Sequence, residues 1–100
     1  MCSGIRATAV SGIMNEASGR SSAVLAGLNN LASGFDASVV GGALNTALGM
    51  YATVASGTSN TASGMGAFVA GGQSNQANGT QSFVAGGQGY KILGTNQVVP

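Results

Sequence analysis

The chain has no His, no Trp, one Cys, one Pro and five charged side chains in 100 residues. Each scarcity excludes a class of function. With no His, two carboxylates (Glu16 and Asp36) and a single thiol (Cys2), there is no material for a metal cluster, a paired-carboxylate acid–base site or a Cys/His dyad. The sequence therefore predicts a non-enzyme with no catalytic residues, no metal ligands and no cofactor. Three cations, Arg6, Arg20 and Lys91, cannot build a basic stripe, so no nucleic-acid partner is expected. No apolar run reaches the roughly 18 residues of a membrane helix, and no membrane insertion by this segment is expected. One cysteine cannot close an intrachain disulfide. Met1 to Val10 lack the charged-then-apolar order of a signal peptide. Leu, Ile, Val and Phe make up only about a fifth of the chain, near the level at which chains stay unfolded; disorder also calls for high net charge, and here it is +1. A thick globular core is not expected.

What the chain has in abundance is glycine, 18 residues of it, and the glycines keep time. Gly4, Gly19, Gly34, Gly49, Gly64, Gly79 and Gly94 recur every 15 residues, and so do Gly12, Gly27, Gly42, Gly57, Gly72 and Gly87. Asn15, Asn30, Asn45, Asn60 and Asn75 share that beat, as do Ala17, Ala32, Ala47, Ala62 and Ala77. A Val column runs from Val24 through Val39, Val54, Val69 and Val84 to Val99, with Ala9 at its head. Such self-similarity is the mark of a stacked, quasi-one-dimensional architecture read as one repeat domain over 1–100.

A repeat of 15 residues is too short for two helices and their turns, and a glycine every seventh or eighth residue would cost a helix roughly 1 kcal/mol each time. The unit is therefore one extended coil, and the prediction is an all-β parallel β-solenoid of six to seven coils, each with two short strands and two glycine turns. At about 4.8 Å per coil it would stand roughly 32 Å tall. The Val and Ala columns fall on opposite strands and are expected to face each other across a thin interior. Asn is expected to take a left-handed conformation beside the turn glycine, or to form a structural amide row bonded along the stack. One Val and one Ala per coil stabilise too little to order 15 residues, so burial of outward apolar groups against other chains is expected. The outward candidates are Ile13 and Leu28, the pair Phe68 and Phe83 with Val98, and the run Phe35, Met50 and Met65.

Other motifs favour structural readings. Gly86-Gly87-Gln88-Gly89 lacks the acidic ligands of a calcium-binding roll. Asn78-Gly79-Thr80 matches a glycosylation acceptor, which matters only in a eukaryotic secretory setting. No column supplies the unbroken Thr row of an ice-binding face: Thr46 and Thr61 share theirs with Glu16, Leu31, Gln76 and Lys91. No binding residues are assigned.

Tyr51-Ala-Thr-Val-Ala-Ser-Gly-Thr-Ser-Asn-Thr-Ala-Ser-Gly64 and Gly66-Ala-Phe-Val-Ala-Gly-Gly-Gln-Ser-Asn-Gln-Ala-Asn-Gly79 resemble the head repeats of trimeric autotransporter adhesins, the YadA-like heads. The resemblance runs from Gly4 to Gly94. It implies a left-handed β-roll, a homotrimer, display at the bacterial cell surface through an anchor outside this segment, and adhesion to an extracellular matrix protein or cell-surface glycan. This chain departs from the family in keeping a longer unit, with Ser38-Val-Val-Gly-Gly42 in place of Ser-Val-Ala-Ile-Gly. The same repeats also resemble phage or viral tail fibres, which would place the chain on a virion. No neck or stalk is read after Pro100, and neither end shows a polar cap, so a self-assembling filament subunit is a further expectation.

Overall fold

A computed structural model of the chain describes residues 7–10 and 12–99. Cys2, Gly4 and Arg6, singled out above, lie outside the described residues. All regular structure among the described residues is β, with no helix. Thirteen two-residue strands follow one another: β1 (Thr8–Ala9), β2 (Glu16–Ala17), β3 (Ala23–Val24), β4 (Leu31–Ala32), β5 (Ser38–Val39), β6 (Thr46–Ala47), β7 (Thr53–Val54), β8 (Thr61–Ala62), β9 (Phe68–Val69), β10 (Gln76–Ala77), β11 (Phe83–Val84), β12 (Lys91–Ile92) and β13 (Val98–Val99). Odd-numbered strands line up in one parallel sheet and even-numbered strands in another. The register advances by one repeat at every step, as in Val24↔Val39 and Ala32↔Ala47. The protein is a parallel β-solenoid of about six turns with a 15-residue repeat, spanning 32 × 20 × 12 Å.

The ladders are directional. In each coil the outward-running N–H groups donate to carbonyls of the next coil: Leu25 N–H to Val39 O (3.0 Å), Ser33 N–H to Ala47 O (3.0 Å) and Ala43 N–H to Gly57 O (3.0 Å). The left-handed turn residues donate backward, as Asp36 N–H does to Arg20 O and Leu44 N–H to Leu28 O, and so do N–H groups of the Asn column, as Asn45 does to Asn30 Oδ1. Ladder bonds thus satisfy the backbone of a chain whose interior is too thin to rely on apolar burial.

The interior holds the predicted columns. Ala17, Ala32, Ala47, Ala62 and Ala77 line it from one sheet and Val24, Val39, Val54, Val69 and Val84 from the other, all fully buried. A further column of small residues, Ser22, Ala37, Ala52, Ala67 and Ser82, is buried ahead of the odd-numbered strands. Ser22 and Ser82 are accommodated there because each hydroxyl donates to a turn carbonyl, of Gly19 and Gly79 respectively, over 2.7 Å.

The two expected strands per coil are present; one feature adds to the expectation and another corrects it. Each coil has a third ladder: Ile13, Leu28, Ala43, Thr58, Gln73 and Gln88 bridge one another in parallel between the two sheets. A single bridging residue per coil demands no β-former, so this column has no consistent composition. The left-handed residues are also not the Asn column. They are the residues just before it, among them Met14, Asn29, Leu44, Ser59 and Ser74, and those of the other turn, such as Ser21, Asp36 and Tyr51. The Asn side chains are needed inside the coil, so the sharp turn falls one residue earlier.

Candidate functional site: an amide spine and two apolar rows

The Asn column is a buried spine. Asn45 Nδ2 donates to Gly41 O within its own coil and to Gly57 O of the next, both at 2.9 Å, while its Oδ1 accepts the N–H of Asn60 at 2.9 Å. Asn30 and Asn60 repeat the pattern in their coils, and Asn75 does so with Gly71, Gly87 and the N–H of Tyr90. Each amide thus holds its own turn, the next turn and the next spine residue at once. Only a planar group with a carbonyl and an NH2 does this, which accounts for five successive Asn. Among the described residues no buried side-chain polar atom lacks a hydrogen-bond partner. With its donors and acceptors consumed internally, the spine is structure and not a binding row.

The glycine columns divide by what a side chain would meet. At Gly42 and Gly57 φ is near +90° to +100° and a Cβ would run into the next coil's glycine carbonyl. At Gly34 and Gly49 φ is unremarkable, yet the same collision awaits. Gly41 is different: nothing lies within 4 Å, and Ala26 and Ser56 occupy its column. Gly41→Ala is expected to leave stability unchanged or raise it by up to about 1 kcal/mol through the unfolded chain's lost freedom, measured by urea denaturation.

The outer surface carries the uneven apolar columns. Along one edge Val10, Ile13, Met14, Leu25, Leu28, Val40 and Leu44 are exposed, Met14 at 77% and Val40 at 45%. All belong to the N-terminal three coils. Along the other edge run Phe35, Met50 and Met65, exposed by 41%, 41% and 52%, beside Leu48 and Tyr51. Arg20 heads this second row with its guanidinium 5.5 Å from the centroid of the Phe35 ring. On the face between the edges Phe68 and Phe83 stack with centroids 5.0 Å apart and planes 17° from parallel. Each ring covers one face of the other.

The polar groups noted in the sequence stay apart. Glu16 lies on the outer side of β2 and Asp36 in a left-handed turn, in different columns of the coil. Among the described residues no three His, Cys, Asp or Glu side chains gather. Thr46 and Thr61 are ladder neighbours, but Leu31 and Gln76 bound them. Asn78 is half-buried, donating to Gln76 Oε1 at 3.3 Å and accepting from Ser63 Oγ. No helix is long and apolar enough to cross a membrane among the described residues. Neither protein-family models nor curated proteins give a match to this chain.

Proposed function

We propose that the chain is a structural and adhesive module, a head-like segment of a trimeric surface adhesin that displays a rigid stack and attaches to a matrix protein or cell-surface glycan. The observation that carries this reading is the pair of exposed apolar rows on a stack whose own apolar core is Val and Ala with Ile92 as its one larger member. A row of side chains repeating at the ladder spacing is complementary to another row of the same spacing, which a second copy lying alongside supplies. The resemblance of the repeats to adhesin heads supplies the number three and the surface setting.

Light scattering coupled to size exclusion is the test. A mass three times the 9.6 kDa monomer is expected. Phe35→Lys or Val40→Lys, each placing a charge in a row, is expected to return the chain to monomer with its β-type circular dichroism retained. A wild-type monomer contradicts the oligomer, and absence of saturable binding on matrix-protein and glycan arrays contradicts adhesion.

A further inference from the structure

One turn residue breaks the habit of its column. Ser21, Asp36, Tyr51, Gly66, Gln81 and Asn96 succeed one another at 15-residue spacing, and all have positive φ. Gly meets that demand freely, and Asn and Asp tolerate it better than other side chains do. Tyr51, at φ +62°, is the one aromatic among the six, and it is 56% exposed. Its backbone N–H donates to Phe35 O over 2.8 Å, as the turn requires. Its side chain offsets none of the strain: among the described residues its hydroxyl has no hydrogen-bond partner and its ring stacks on no other ring. Strain kept without a packing gain points to use by a ligand.

The next position of the column is Gly66, so no side chain stands between Tyr51 and Gln81. A Cβ at Gly66 would lie 3.5 Å from Gln81 Cγ and 3.9 Å from Gln81 Cα, and no atom of Tyr51 comes within 4 Å of it. The Tyr51 side chain therefore does not fold over the glycine. Two coil spacings separate the Tyr51 and Gln81 levels by about 10 Å. With carbon contacts at about 3.5–4 Å, that height takes one six-membered ring between the two side chains. The slot is open to solvent at the turn, where Tyr51, Met65 and Gln81 are all exposed. It lies one residue round the turn from the row of Phe35, Met50 and Met65.

We propose that this slot is a subsite for a neutral pyranose unit of a cell-surface glycan, an inference that rests on the adhesive reading above and names its ligand class and residues. A pyranose has an apolar C–H face and a rim of hydroxyls, and the slot offers a match for each. The Tyr51 ring supplies a rigid apolar platform with only two side-chain torsions to fix. The Gln81 amide supplies a carbonyl and an NH2, and the Tyr51 hydroxyl both donates and accepts. A few polar groups set around an apolar wall is the usual composition of a small-molecule site. Charge narrows the class. The charged member of the column is Asp36, one coil before Tyr51, and its carboxylate disfavours acidic sugars, while the Arg20 guanidinium is engaged over the Phe35 ring.

Titration of the isotope-labelled chain with neutral hexose and N-acetylhexosamine oligosaccharides, read by backbone amide NMR shifts, tests this. Saturable shifts at Tyr51, Gly66 and Gln81 are expected, with sialylated oligosaccharides binding more weakly. Tyr51→Asn removes the platform and Gly66→Asn fills the slot. Asn tolerates the positive φ of both positions, so each variant is expected to stay folded at the wild-type mass and to bind about tenfold more weakly or worse. Tyr51→Phe, which keeps the ring, is expected to retain most of the affinity. Undiminished binding in either folded variant overturns the slot, and each variant carries the test if the other misfolds. A changed mass in Tyr51→Asn overturns it too, by placing Tyr51 in the contact between copies, and so does tighter binding of sialylated sugars by the wild type. A wild type that binds matrix proteins but no oligosaccharide overturns the slot and leaves adhesion standing, whereas one that binds neither removes both.

Discussion

Gly57→Ala is expected to lower the unfolding free energy by about 3–5 kcal/mol, in urea denaturation followed by circular dichroism. Two costs combine. Gly57 sits at φ +101°, which an L side chain rarely adopts, and a Cβ there would run into the carbonyl oxygen of Gly72. The obstacle is backbone of the adjoining coil, so relief requires the coils to separate, with loss of the Thr58 N–H bond to Gly72 O and the Asn60 amide bond to the same oxygen. Gly49→Ala isolates the steric part, because its φ lies outside the left-handed region while its Cβ would meet the Gly64 carbonyl. It is expected to be strongly destabilising but less so than Gly57→Ala. Equal, near-zero effects at both positions would mean that the coils do not stack at this separation.

Asn45→Ala is expected to cost about 3–5 kcal/mol, because it removes three hydrogen bonds from a fully buried site and puts nothing in their place. The Asn60 N–H loses its acceptor, and the carbonyls of Gly41 and Gly57 lose the amide that joined them. Because each coil of a solenoid touches only its neighbours, the lesion divides the stack at its middle. The loss should appear as a lower midpoint together with a broader transition in urea denaturation. A single sharp transition at the wild-type midpoint would show that the amide spine is dispensable.

Much of this architecture is legible in the sequence because a ladder presents every member of a column with the same surroundings. Val24 to Val84 and Ala17 to Ala77 face one interior, the glycine columns face one backbone contact, and Asn15 to Asn75 face one pair of carbonyls. Constancy of residue type follows from constancy of environment. The third ladder was not legible because a one-residue bridge satisfies only backbone groups, which Ile13 and Gln88 do equally well. The left-handed column before the spine was obscured in a related way. Asn29, Ser59 and Ser74 are suited to positive φ, but Met14 and Leu44 share the column and hide its demand.

The outward columns carry the least information. Glu16, Leu31, Thr46, Thr61, Gln76 and Lys91 succeed one another on one ladder because solvent imposes no common requirement on them. The apolar rows stand out from that background through their exposure and continuity, and they carry the adhesive-module proposal.

Amide hydrogen exchange measured residue by residue tests the spine most directly. The account predicts that the backbone N–H groups of Asn30, Asn45, Asn60 and Asn75, each bonded to the preceding spine carbonyl, are among the slowest to exchange, at or near the global unfolding limit. Exchange of those four amides as fast as that of exposed turns would contradict the stack on which every other conclusion rests.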